Sequence, residues 1–232
     1  MMAERAPLID HLRELRRRIA LSLVAVFIGS IVTFAFADTL ITLLRSPLGS
    51  VKLYFTGIGD AFGIRMQLSV IGGIALAMPM LLWQSWAFIS PGLTRSERRS
   101  ARPWLPLALL LFLIGAAVAW SVLPFAVGFL LSFASADLLP MIAADRYFGF
   151  VGTLILIFAL AAEYPIVLVF LSRVGIVTSA KLRAWRRGAI VGIVVISTVA
   201  TPGTDLVSPV ILAVTLIILY EFSILLVRGG GR

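Results

Sequence analysis

The chain has 232 residues, of which 60% are hydrophobic and 13% are charged, and its mean hydropathy is +1.06; these values exclude a soluble globule with one apolar core. The net charge of +9 does not indicate a nucleic-acid-binding protein, because the basic residues lie in short stretches between apolar runs. The absence of cysteine excludes disulfides, thiolate catalysis and cysteine-ligated metals. Because the hydropathy is so high, we predict an all-α integral membrane protein.

The N-terminal stretch, residues 1–18, is polar and basic. Leu8, Leu12 and Leu15 have the spacing of one helix face, which predicts a short amphipathic helix lying on the membrane. His11 is the one histidine of the chain, and we predict no metal site there because no set of partner ligands accompanies it.

Six apolar runs follow, and a helix needs ~20 residues to cross the hydrocarbon core of a bilayer. The fifth run has only 12 residues, about 18 Å as a helix, so we expect the last two helices to form a hairpin with one short arm. Together the runs predict a single six-span membrane domain over residues 1–232. The predicted spans are residues 19–37, 66–89, 104–133, 148–172, 188–199 and 206–227.

The orientation follows from the basic residues. Of the 20 Lys and Arg residues, 16 lie in the two termini and in loops 90–103 and 173–187, and 4 lie in the alternate connections. Because basic residues are enriched in cytoplasmic loops, we predict that both termini are cytoplasmic.

Glu97 lies in the loop between spans two and three and is surrounded by arginines. It could be a solvated charge that balances these neighbours. A carboxylate at the membrane boundary can also accept a guanidinium as a bidentate pair, which lysine cannot match. Glu14, in the N-terminal helix on the same side, is a second acceptor. Two such carboxylates suit a ligand that carries two arginines.

Three further polar residues lie within spans. Glu163 is near the middle of span four, where an ionisable group costs several kcal/mol unless it is neutral, paired or wet. We favour a functional role for it over a structural hydrogen bond to another helix. Gln84 and Glu221 lie near the cytoplasmic ends of spans two and six, and a structural and a functional role both remain open for each. The same two roles remain open for Asp205, in the turn before the last span. No nucleotide-binding loop, GxSxG or HExxH motif occurs, so no enzymatic site is expected.

Four stretches resemble the TatC family, the multispanning subunit of the twin-arginine protein translocase. Three departures accompany the resemblance: Ala162 stands where phenylalanine is usual, and Pro209 and Thr215 replace the usual glutamine and proline. The four stretches are HLRELRRR at 11–18, FISPGL at 88–93 with Glu97-Arg98, FALAAEYP at 158–165, and 201–221 with its Thr201, Pro202, Asp205 and Ser208.

The resemblance implies a receptor for twin-arginine signal peptides in the cytoplasmic membrane of a prokaryote. Glu97 and Glu14 would accept the arginines, with Phe88, Arg16 and Arg18 in the same patch. Glu163 would meet polar groups of the single-span partners TatA and TatB inside the bilayer. Folded cargo would cross with the proton-motive force, without a cofactor.

The alternative is a proton-coupled small-solute secondary transporter that uses Glu163. The first and last three spans show no inverted repeat, which disfavours it.

Overall fold

The computed structural model describes residues 5–92, 104–135, 140–173, 175–201 and 205–229. Nine α-helices and two short strands lie in these ranges, and one-turn 3-10 helices follow α2 (Ser46–Leu48) and α3 (Ser90–Gly92). In chain order the elements are α1 (Arg5–Ala35), α2 (Ala37–Arg45), β1 (Leu53–Tyr54), α3 (Asp60–Ile89), α4 (Trp104–Leu131), β2 (Ile142–Ala143), α5 (Ala144–Ala161), α6 (Tyr164–Arg173), α7 (Ser179–Ala184), α8 (Arg186–Ala200) and α9 (Val207–Gly229).

The first helix differs from the sequence prediction. We expected a helix over residues 1–18 on the membrane and a separate span over 19–37, but α1 is one helix of 31 residues. No proline or glycine lies between Pro7 and Gly29, so nothing in the sequence stops the helix. At about 46 Å it is longer than the hydrocarbon core, and about ten residues extend beyond a ~30 Å layer.

Five segments of the described chain are long and apolar enough to cross a membrane: 10–35, 60–89, 104–131, 144–173 and 207–228. Each overlaps a predicted span. The fourth consists of α5 and α6 with a break at Ala162 and Glu163. Helix α8 has 15 residues, about 22 Å, and is too short to count as a sixth segment by the same criterion.

Helices α1 and α3 pack closely because small residues meet at their crossing. A Cβ atom added to Gly29 would lie 2.7 Å from the carbonyl oxygen of Gly73, and one added to Gly73 would lie 2.5 Å from the backbone nitrogen of Ser30. Small residues allow such backbone approach, and this is how membrane helices commonly associate.

The main core lies among α4, α5, α6 and α9. Leu123, Val151 and Leu154 have no exposed surface there. By contrast α1 leaves most of its apolar side chains exposed, as a helix at the edge of a membrane bundle does.

The connection between α1 and α3 and the connection between α4 and α5 pack together as an ordered cap. Strands β1 and β2 pair in parallel, with Leu53 opposite Ile142 and Tyr54 opposite Ala143. The buried hydroxyl of Tyr147 donates a hydrogen bond of 2.8 Å to the carbonyl of Leu44. These contacts fix the connection after α1 to the start of α5.

Candidate functional site

A polar cluster joins the N-terminal part of α1 to the C-terminal end of α3. His11, Glu14 and Arg18 lie at i, i+3 and i+7 on one face of α1, and Gln84 and Phe88 lie one turn apart on α3. We call these five residues the α1–α3 cluster. It brings together three of the residues that the resemblance implicates, Glu14, Arg18 and Phe88, and adds Gln84.

Arg18 is the centre of the α1–α3 cluster. Its Nη1 donates to Oε1 of Gln84 at 2.9 Å, and its Nη2 donates to Oε1 of Glu14 at 3.1 Å. Gln84 is only 4% exposed, whereas the side chains of Arg18 and Glu14 are about one third exposed, at 28% and 32%. The guanidinium therefore fixes α1 to a buried amide on α3 while Glu14 stays accessible to water.

An aromatic contact extends the α1–α3 cluster toward the helix ends. The rings of His11 and Phe88 stack, with centroids 4.4 Å apart and planes 20° apart. This contact gives His11 a packing partner on α3.

Arg16 and Glu97 complete the predicted peptide-binding set. Arg16 is exposed on α1, two residues from Arg18. Glu97 lies outside the described residues. Ile89 and Trp104, which precede and follow its loop along the chain, both line the groove described next.

An apolar groove of about 270 Å³ opens between α3, α4 and α6. Glu163 lines it at the break between α5 and α6. Pro165 accounts for the break, because proline has no N–H to bond the carbonyl one turn back. At this turn Glu163 N donates to the Leu160 carbonyl, three residues back instead of the usual four, at 3.1 Å. The remaining lining residues are Leu82, Ser85, Trp86, Ile89, Trp104, Leu105, Ala108, Ile166, Val167, Val169, Phe170 and Arg173.

The Glu163 carboxyl is the main polar feature of this groove. Its Oε1 is buried and has no hydrogen-bond partner within the part of the chain that the structure describes. A buried oxygen without a partner costs free energy, which a donor from another molecule can recover. The groove therefore combines apolar walls with one carboxyl oxygen that is open to a donor.

The α1–α3 cluster and the groove use different faces of the same helix end. Gln84 and Phe88 face α1, whereas Ser85, Trp86 and Ile89 line the groove. At 100° per residue, these two sets point in largely opposite directions. The end of α3 thus has one site on each side.

Asp205, for which the sequence left a structural and a functional role open, has a structural contact. It is 4% exposed, and its Oδ1 accepts a 2.6 Å hydrogen bond from the backbone nitrogen of Ser208 at the start of α9. A carboxylate in this position caps the helix N-terminus.

Glu221 also has a structural partner. Its Oε2 accepts a 2.7 Å hydrogen bond from Nη2 of Arg186, which ties α9 to α8. Beside it the Tyr220 hydroxyl donates to the Leu182 carbonyl at 2.6 Å. The first bond joins the two arms of the final hairpin, and the second ties α9 to α7.

Sequence reasoning missed three contacts of the site. The pairing of Glu14 with Arg18 could have been read from their i, i+4 spacing. The link from Arg18 to Gln84 spans 66 residues, and the stacking of His11 on Phe88 is similarly distant, so no local signal reveals them.

Comparisons with known proteins all point to one family. The family model described as "Sec-independent protein translocase protein (TatC)" matches residues 10–214. A TatC protein of Frankia casuarinae is 36% identical over 96% of this chain and 65% of its own length, so the chain spans somewhat less than two thirds of that relative. One of Carboxydothermus hydrogenoformans is 34% identical over 95% and 92%, respectively. A crystal structure of the twin-arginine translocase receptor TatC superposes with a TM-score of 0.83 at 36% identity, covering 96% of this chain and 100% of that one.

Proposed function

The chain belongs to the TatC family of Sec-independent protein translocase proteins, and from that premise we propose that it is the membrane receptor for twin-arginine signal peptides. The family is one of translocase subunits rather than enzymes. Family membership also favours this function over the proton-coupled transport of a small solute.

We propose six spans with both termini in the cytoplasm of a prokaryotic cell, across the cytoplasmic membrane. Five segments have the required length, and α8 would be the sixth span as the short arm of the final hairpin. The bilayer beside a short helix can thin to match it. The excess of basic residues at the termini and in two loops supports this orientation.

The observation that carries the proposal is the geometry of Glu14. Its carboxylate already holds a guanidinium, that of Arg18, at the end of the molecule from which the loop with Glu97 extends. A signal peptide with two arginines would meet Glu14 and Glu97 there, beside Phe88. Arg16 and Arg18 would set the local charge and orient Glu14.

Arg18 would compete with an arginine of the peptide for the Glu14 carboxylate. An incoming arginine must share Glu14 with Arg18 or displace it, and an ion pair that is one third exposed contributes only ~0–1 kcal/mol. Displacing Arg18 from Glu14 therefore costs little free energy, and Arg18 keeps its bond to Gln84 in either case.

The groove at Glu163 would receive a transmembrane helix of a single-span partner, TatA or TatB. A donor on that helix would pair with the buried carboxyl oxygen of Glu163. The assembled complex would carry folded proteins across the membrane with the proton-motive force.

The test is a titration of the purified protein in nanodiscs with a fluorescent twin-arginine peptide. Glu97→Gln removes one proposed acceptor and should weaken binding roughly 10- to 150-fold, because a charge-assisted hydrogen bond is worth ~1.5–3 kcal/mol. Asp10→Asn is the control, since it removes a carboxylate that is 73% exposed one turn from Glu14. Equal affinities of Glu97→Gln and the parent would refute the assignment.

A further inference from the structure

A second polar cavity lies at the opposite end of the molecule from the α1–α3 cluster, under the cap formed by β1 and β2. Its volume is about 500 Å³, and it lies between α2, the start of α3 and the start of α5. It is lined by Asp38, Ile41, Arg45, Lys52, Leu53, Tyr54, Phe55, Ala61, Ile64, Arg65, Ala144 and Phe148.

The charge of this cavity is positive. Arg45, Lys52 and Arg65 line it, and Asp38 is the only carboxylate that does so in the described part of the chain. Asp38 is already paired, since its Oδ1 accepts a 2.6 Å hydrogen bond from Nη2 of Arg65. Arg45 and Lys52 are exposed, so two cations remain to bind an anion.

Apolar side chains near this cavity along the chain are exposed, and one of them, Phe55, lines it. Phe55 is 65% exposed, Phe62 is 63% exposed and Ile58 is fully exposed, and all three belong to one short stretch of the chain. Exposed aromatic and aliphatic side chains next to basic ones are typical of a surface that enters the lipid headgroup layer. A soluble anion would not bury these apolar side chains.

A separate apolar groove lies between α1 and the next residues of α3, toward the middle of the span. It has a volume of about 540 Å³ and is lined by α1 and α3 residues that include Phe34, Met66 and Ser69. Met66 follows Arg65 directly. Ser69 lies one turn deeper, and its hydroxyl donates to the Arg65 carbonyl at 2.5 Å. The cationic cavity and the apolar groove share no lining residue, but Arg65 of the cavity and Met66 of the groove are consecutive on α3.

We propose that these two features form one binding site for an anionic phospholipid of the outer leaflet. The headgroup phosphate would bind Arg45 and Lys52, and an acyl chain would lie along the groove between α1 and α3. Guanidinium and ammonium groups suit phosphate oxygens, and each basic residue near an anionic lipid surface strengthens binding about 5-fold. The site rests on the membrane placement proposed above but not on signal-peptide binding.

A bound lipid would act as a structural ligand of the cap. It would contact α2, β1 and α3 at once and would neutralise two cations that are not otherwise paired in the described contacts. The site would therefore select phosphatidylglycerol or cardiolipin over a zwitterionic lipid.

Native mass spectrometry of the full chain in detergent tests the proposal. The protein is equilibrated with equal amounts of phosphatidylglycerol and phosphatidylcholine, and the retained lipids are counted. The parent should retain phosphatidylglycerol preferentially, and the double variant Arg45→Gln/Lys52→Gln should lose roughly 25-fold of that preference. The control Lys181→Gln/Arg183→Gln removes the same charge from α7, at the other end of the molecule, and should keep the preference.

Two competitors separate a lipid from a free anion. Inorganic phosphate and glycerophosphoglycerol, the headgroup without acyl chains, should fail to displace phosphatidylglycerol at equal concentration, because neither fills the apolar groove. Displacement by either one would overturn the proposal. So would an unchanged preference in the Arg45→Gln/Lys52→Gln variant, or an equal loss in the α7 control.

Discussion

Arg18 shows how one side chain can serve both stability and recognition. Its planar guanidinium bonds Gln84 on α3 and Glu14 on α1 at the same time. Lysine carries the same charge but presents a point charge instead of a fork, so it does not reproduce this bridge.

We therefore predict that Arg18→Lys lowers the free energy of unfolding by about 0.5–1.5 kcal/mol, the value of one hydrogen bond. Arg17→Lys is the matched control, because Arg17 is the adjacent exposed residue. Denaturant unfolding in detergent measures both variants. A loss of the same size in both would mean that the bridge contributes nothing.

Arg18 has two hydrogen-bond partners, whereas one carboxyl oxygen of Glu163 is buried without a partner among the described residues. We predict that Glu163→Ala leaves twin-arginine peptide affinity unchanged but weakens crosslinks between α6 and a single-span partner. An interhelical hydrogen bond in a membrane contributes ~0.6–2 kcal/mol, so crosslinking should fall roughly 3- to 30-fold.

The control for this experiment is Glu221→Gln, which alters a carboxylate already paired with Arg186 in the final hairpin. It should not change the crosslinks from α6. If Glu163→Ala lost peptide binding and kept its crosslinks, the separate roles proposed for Glu97 and Glu163 would be wrong.

At the scale of elements, the crossing of α1 and α3 depends on glycine. A Cβ on Gly73 would lie 2.5 Å from the backbone nitrogen and 2.8 Å from the Cα of Ser30, and backbone atoms cannot move aside as a flexible side chain can. The two helices must separate to admit even one methyl group.

Gly73→Ala should accordingly lower the free energy of unfolding by about 1–3 kcal/mol, the usual cost of overpacking. Gly128→Ala in α4 adds the same methyl group where nothing lies within 4 Å, and alanine favours a helix over glycine, so this control should be neutral or slightly stabilising. Thermal unfolding of both variants in one detergent makes the comparison. A Gly73→Ala variant as stable as the Gly128→Ala control would contradict the close crossing.

The elements also show what the sequence could and could not predict. Long apolar runs predicted the five segments that are long and apolar enough to cross a membrane, because a run of about 20 such residues is what a spanning helix requires. The continuity of α1 was missed because the sequence changes from polar to apolar near Arg18, whereas the helix continues through this point without a break. The parallel pairing of Leu53 with Ile142 joins residues that are distant along the chain, and two-residue strands leave no periodic pattern to read.

The candidate site was predictable to a similar degree. Glu14, Glu163 and Gln84 were recognisable as polar residues in helical or apolar contexts. The Arg18–Gln84 bond, the stacking of His11 on Phe88 and the groove walls were not predictable, because they form only when α1, α3, α4 and α6 pack together.

For the whole molecule, the proposed topology predicts which positions face each side of the membrane. Single cysteines at Asp10 and Ala184 should react with an impermeant thiol reagent only from the cytoplasm, and those at Ser50 and Ser132 only from the opposite side. All four positions are exposed, and the chain has no native cysteine to complicate labelling. A single position labelled from the wrong side would break the proposed orientation.

The central claim is that this protein recognises paired arginines, and its most direct test is the affinity of the parent protein for two peptides that differ only in that pair. In nanodiscs, a twin-arginine peptide should bind roughly 10- to 150-fold more tightly than its twin-lysine counterpart, because only a guanidinium forms two parallel bonds to a carboxylate. Equal affinity for the two peptides would contradict the claim.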